Sequence, residues 1–254
     1  MTVTTQQLAE QMPDTRELLS DEPQMETKQH YQQLALLVSH LEWFWRDRAD
    51  FFIGANLTVY YTHEQLRVRR FCGPDFFLVR DVDPRPRTSW VVWEEEGRYP
   101  DLIIELLSEA TASVDRTEKK RLYQTVFRTP EYFWFSPLTA EFAGFRLASR
   151  WYEDIPADER GWRWSEVLGL YLGVVDGQLR YFESDGARVL GPEESALREM
   201  AQAKRERQRA EQAQSQAEQE RQRAEQAQSQ AEQERQRAER LAQRLRELGF
   251  DPEA

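Results

Sequence analysis

Glu105 stands in the middle of Leu102-Ile103-Ile104-Glu105-Leu106-Leu107, an otherwise continuous apolar run. A carboxylate buried in such a strand is costly unless it is paired or holds a cation. Two other places supply groups it could meet. Gly73-Pro74-Asp75 opens the apolar stretch Phe76-Phe77-Leu78-Val79, and Asp115-Arg116-Thr117-Glu118-Lys119-Lys120 opens a helical pattern. Two carboxylates from adjacent strands make a site for a hard divalent cation that keeps open water positions. A lysine beside them can orient and help deprotonate a water, and can offset charge on a phosphate in the transition state. That is the chemistry of metal-assisted phosphodiester hydrolysis.

Spacing selects among the candidates. Asp101 and Glu105 share a strand face but lie about 13 Å apart along it, so they do not grip one ion. Asp75, on a neighbouring strand, is the better partner for Glu105. Lys119 shares a helical face with Leu122, Tyr123 and Val126, the face expected to pack on a sheet. Lys120 lies about 100° further round the helix. Lys119 is therefore preferred, and Glu26, His30 or Glu42 on an earlier helix could add a polar ligand. Plainer readings stand beside these. Asp75 can be a strand-entry residue, Glu105 a structural ion pair with Lys119, the lysines surface charges, Asp101 a turn residue, Asp115 a helix cap and Cys72 a small buried apolar residue.

The elements that must position these groups read as α+β. A helix is expected from Thr27 to about Arg48, buried through Tyr31, Leu34, Ala35, Val38, Leu41 and Trp45. Gly54 and Asn56 are expected to break the next apolar stretch into strand pieces. Further strands are expected at 75–79, 89–93, 101–107, 131–136 and 142–148, and later in LGLYLGVV and QLRYF. A second helix is expected at about 116–127, with Asp115 as N-cap and Glu118 completing a capping box. No glycine-rich phosphate loop occurs.

Composition narrows the class. One cysteine excludes an internal disulfide framework, and three histidines are too scattered for a histidine-rich metal cage. No apolar run is long enough to cross a membrane, and the N-terminal segment lacks a signal-peptide layout, so a cytoplasmic protein is expected. Of the 30 aromatic residues, 29 precede residue 183. A large core can therefore form only in the first part of the chain. The expected organisation is a frayed segment at 1–20, a globular domain at 21–190 and a repeat at 191–254. Residues 206–219 read ERQRAEQAQSQAEQ and recur unchanged at 220–233. This two-heptad period sets a seam of alanines with recurring glutamates from Ala203 to Leu248, expected to form a coiled coil with a second copy or a partner protein, the plainer alternative being a solvated helix with no partner. The net charge is −11, of which −9 falls in residues 1–190. That argues against holding nucleic acid by bulk positive field, although not against a cation in a carboxylate cluster.

The run RYPDLIIELLSEATASVDRTEKKRLYQTVFRTPEYFWF resembles the Uma-two family of restriction-endonuclease-like proteins. The resemblance rests on Pro100-Asp101, Glu105, Leu107-Ser108, Asp115-Arg116, Lys119, Tyr123 and Pro130-Glu131-Tyr132, with Asp75 upstream, and covers roughly residues 20–185. It implies a PD-(D/E)xK-like mixed sheet flanked by helices and a hydrolase acting on DNA. It also implies Mg²⁺ or Mn²⁺ held by Asp75 and Glu105, with Lys119 as the catalytic lysine. In that superfamily the lysine follows two residues after the second acid. Here that position is Leu107, so the resemblance implies that Lys119 on the next helix takes its place. A different reading is a nuclease-like body without chemistry, used as an interaction module and oligomerised by the tail. A carbohydrate-active protein is a weaker third, since the tryptophans are better explained as core.

Overall fold

The structure is a computed structural model that describes residues 18–20, 27–62, 65, 73–109 and 111–247. Glu26, His63, Cys72 and Leu248, and all of the expected frayed segment except 18–20, lie outside the described residues. Residues 18–20 are tied down. The Leu18 carbonyl accepts from Ser89 Oγ (2.9 Å) and the Leu19 carbonyl from Tyr60 OH (3.0 Å).

The α+β expectation holds. The chain runs through helix α1 (Lys28–Phe44), strands β1 (Phe51–Ala55), β2 (Val59–Tyr60), β3 (Phe76–Arg80), β4 (Trp90–Val91) and β5 (Leu102–Leu106), then a helical run, α2, at 112–127. Strands β6 (Glu131–Phe135), β7 (Phe142–Ala148), β8 (Trp151–Asp154), β9 (Arg163–Ser165), β10 (Leu170–Val175) and β11 (Gln178–Phe182) follow, and then α3 (Pro192–Glu247). The main sheet has the order β1-β3-β5-β6-β7-β8. Its neighbours are antiparallel except β5 and β6, which α2 connects as a crossover. Strands β11-β10-β9 form a second sheet, and β2 pairs with β4.

Strand alternation sorts the core into two faces. Phe76, Leu78, Leu102, Ile104 and Leu106 join α1 and the small sheet in one cluster. Phe77, Val79, Ile103 and Leu107 join Tyr123 and Phe127 of α2 in the other. Glu105 falls by parity on the α2 face, where an apolar side chain would be expected.

Several local expectations are corrected. Gly54 does not break a strand; it lies inside β1, where a Cβ would meet the Phe77 ring at about 2.1 Å. Asn56, with φ 47°, follows the strand's end. In α1, Tyr31 and Ala35 are exposed, and the buried stripe is Leu34, Leu37 and Leu41, continued by Trp45. The helix is rotated by Gln33, whose buried amide pairs with both backbone groups of Leu179 (2.9 and 3.1 Å).

The second helix starts at Ala112, so Asp115 is an internal helical residue and not its cap. It winds as π-helix over Asp115–Lys119 and Tyr123–Phe127. Bonding of i to i+5 widens each turn beyond 3.6 residues, so a spacing of four stays on one face. Asp115, Lys119, Tyr123 and Phe127 therefore all turn inward, while Val126 is exposed.

The chain divides into two units, 1–194 and 195–254. The second is helix throughout its described residues, and nearly all of its side chains are exposed. At about 1.5 Å per residue, α3 extends roughly 84 Å. Its residues are almost all strong helix formers, and Arg207–Glu211, Arg221–Glu225 and Arg235–Glu239 repeat one i,i+4 ion pair at the 14-residue period. No helix among the described residues is long and apolar enough to cross a membrane.

Candidate active site

Antiparallel pairing of β3 with β5 puts Phe76 opposite Ile104 and Phe77 opposite Ile103. Continued by one step, that register sets Asp75 opposite Glu105, with both side chains on the α2 face. The Asp75 N–H points at Glu105 Oε2 (3.4 Å), and Asp75 Oδ2 accepts from the Leu106 N–H (2.7 Å). Asp75 is thus locked across the end of β5.

From the other side, α2 delivers its inward stripe. Lys119 Nζ lies 3.1 Å from Glu105 Oε2 and 2.9 Å from Asp115 Oδ1. Tyr123 OH donates to Glu105 Oε1 (2.6 Å). Tyr132, on β6, donates its hydroxyl to the Asp115 carbonyl (2.8 Å). Glu105 is fully buried, Asp115 is nearly so, and Lys119 keeps about a quarter of its side chain exposed. The result is a pocket of three carboxylates around one lysine, with an excess of negative charge.

The electrostatics follow from that excess. Burial pushes the Glu105 carboxyl well above the usual carboxylate range; Lys119 pulls it down, and the Asp75 and Asp115 charges push it up further. Burial also raises Asp75, again against Lys119. For Lys119 burial alone would lower the pKa, but Glu105, Asp115 and Asp75 outweigh it and hold the ammonium above its ordinary range. The lysine is a fixed cation and the acids are under-compensated.

Asp75, Glu105 and Lys119 are thus brought together. Lys120 is not: its Nζ lies over the Phe145 ring, 3.3 Å from the centroid, and burial lowers its pKa. Asp101 sits at the other end of β5, accepting from the Arg80 N–H (2.8 Å) and holding the end of β3. Glu42 is exposed on α1, and the His30 Nδ1 bonds Thr27 Oγ1 (2.9 Å). Two further participants are Tyr123, for which the sequence predicts the inward face but no contact, and Asp115, for which it predicts a cap. The spacing of four through 115, 119 and 123 was the available signal, masked by the assumption of 3.6 residues per turn.

Among the described residues, no group of three or more His, Cys, Asp or Glu side chains could hold a metal ion by itself. Asp75 and Glu105 are the two carboxylates that could hold a cation, with Glu105 Oε2 already facing Lys119 Nζ and the Asp75 N–H. A small hard cation fits such a set, since it keeps several waters and is completed by a substrate phosphate.

The Uma2 family, described as "Putative restriction endonuclease", matches residues 7–177. Among solved structures, a "putative nuclease belonging to DUF820" from Anabaena variabilis is similar at 14% identity. The likeness covers 58% of this chain and 76% of that one, with a TM-score of 0.42. No curated protein matches the chain.

Proposed function

The chain belongs to the Uma2 family of restriction-endonuclease-like proteins, and from that premise we propose that it is a metal-dependent endonuclease hydrolysing phosphodiester bonds in DNA. The observation that carries the reading is Glu105, a buried carboxylate in an apolar strand with Asp75 across from it and Lys119 above it.

Asp75 and Glu105 are the residues that would hold Mg²⁺ or Mn²⁺. When bound, the ion supplies positive charge that polarises a phosphoryl oxygen and acidifies a water. Lys119, held protonated by three carboxylates, acts as a hydrogen-bond donor and not as a proton acceptor. It orients the attacking water and stabilises negative charge developing on the phosphate. Asp115 anchors the lysine. Tyr123 fixes one oxygen of Glu105, which leaves Oε2 turned toward Asp75 and Lys119.

The test is cleavage of DNA by the purified chain with magnesium or manganese, lost in Glu105→Gln and Lys119→Met under conditions where circular dichroism shows both folded. Absence of cleavage on every nucleic acid tried, together with no metal binding by calorimetry, sinks the reading.

A second reading has its own observation. Lys119 is already paired with two carboxylates, as a structural ion pair would be. On that reading the body is an interaction module, and its acidity suits a protein partner better than DNA. In either case the heptad seam of the tail makes a coiled coil with a second copy or another protein, with the domain boundary near 190 and a cytoplasmic setting. Sedimentation of a chain cut at residue 191 checks the coiled coil: oligomers present in the full chain and lost in the cut one are expected.

A further inference from the structure

A cavity of about 370 Å³ opens where β5 and β6 end, the only parallel neighbours in the main sheet and a position where open sheets commonly receive ligands. Its volume lies in the range of ligand pockets, roughly 300–1,000 Å³. Leu107, Ala112, Pro137 and Leu138 give it apolar walls. The charges that line it are Arg116 against Glu109 and Glu141, and Arg116 is ion-paired to Glu141. There is thus no surplus positive charge to hold a phosphate. One polar group stands out: His30, 8% exposed, whose Nε2 is buried without a hydrogen-bond partner among the described residues. Its other ring nitrogen is committed to Thr27. An unpaired buried ring nitrogen is costly and awaits a partner.

None of the cluster's side chains lines the cavity, but its walls continue the segments that carry them. Leu107 lies two residues beyond Glu105, roughly 7 Å along the chain, and Arg116 follows Asp115. A flat, neutral group with apolar faces and hydrogen-bonding edges satisfies all of these features. A nucleobase is such a group, and its own backbone phosphate would then lie beside Asp75, Glu105 and Lys119. We propose that this cavity receives one nucleobase of the substrate strand, displaced from its stack, with His30 bonding its edge. The proposal rests on the nuclease reading and assigns its substrate contact. Displacing a base costs least where the strand is unpaired, so single-stranded or frayed DNA is the favoured substrate.

Saturation-transfer NMR on the full chain, with each deoxynucleoside monophosphate at millimolar concentration, tests it. Transfer strongest at the base protons of at least one nucleotide is expected, with 2-deoxyribose 5-phosphate failing to compete. His30→Leu should weaken binding about tenfold. Ala112→Phe, which fills the cavity, should abolish transfer, and Leu138→Glu on the exposed loop gives a second block should Ala112→Phe not fold. Arg221→Ala, in the exposed tail, should leave base binding unchanged. Absence of transfer to base protons, competition by the sugar phosphate, or full affinity in the folded blocking variants overturns the pocket. Base binding without any DNA cleavage removes the nuclease reading and leaves the pocket; cleavage without base binding does the reverse.

Discussion

The two units of the chain are both rich in ion pairs, yet those pairs sit in opposite situations. In the tail, Arg221 and Glu225 meet at 3.0 Å with side chains 80% and 62% exposed. In the body, Lys119 meets Glu105 at 3.1 Å with the glutamate fully buried. Water solvates the tail residues whether or not they pair, so each pair contributes little and can recur every 14 residues without consequence. At Glu105, unlike at exposed pairs of the body such as Arg85–Asp83, no water replaces a lost partner. Each group there is fixed by several others, and removing one leaves the rest uncompensated. A sequence of repeated exposed pairs makes a rod. A single buried cluster with too many acids makes a place where a cation or a protonation event has something to act on.

The sharpest way to break this contrast is Glu131→Ala. Glu131 is buried at the start of β6, where it accepts from Arg146 (2.9 Å), the Glu166 N–H (2.9 Å) and Ser165 Oγ. Its loss should cost about 3–5 kcal/mol in urea unfolding, and a cost near zero would show that burial does not give body charges their weight. Lys119→Met comes next. It leaves three carboxylates facing each other, and because the lysine is partly exposed the expected cost is about 3 kcal/mol at neutral pH; divalent cations should restore part of it.

Glu105→Gln should act with the opposite sign. The folded-state pKa of Glu105 is raised above its ordinary 4.5. The folded protein therefore holds that proton more tightly than the unfolded chain does. The wild type loses stability as pH rises from the unfolded value through the folded one. The glutamine variant does not titrate there, so it should gain on the wild type progressively from about pH 4.5 upward in the absence of metal. A difference that stays flat across pH would show that Lys119 fully compensates the acid. The smallest effect belongs to the tail. Arg221→Ala should change thermal stability by less than about 0.5 kcal/mol, and added salt should erase the change. A larger loss would mean that the pair is buried against a partner.

Glu105 and Asp75 were legible as candidates because each breaks an apolar pattern at a strand, and Lys119 because it shares a face with Tyr123. The preference for Lys119 over Lys120 followed from helical facing alone. What that facing misjudged was the far end of the helix: π-winding carries Phe127 inward and Val126 outward. The rotation of α1 was equally hidden, since it depends on Gln33 pairing with Leu179, 146 residues away. Glu131 could be seen only as part of a motif. Its partners come from β7 and from the end of β9, which sequence separation conceals.

By itself the sequence determined the α+β character of the body, the helical rod of the tail and the residues whose chemistry is out of place in an apolar strand. Those follow from local periodicity and from the cost of burying charge, both of which act within a few residues. Tertiary structure alone decided that Asp75 lies across from Glu105, that Tyr123 holds one oxygen of that glutamate, and that Asp115 faces inward as a third acid. It also decided that His30 borders a cavity at the end of β5 and β6. Each depends on strand register or helix phase, which are set by packing between distant segments and so are not written in any one of them.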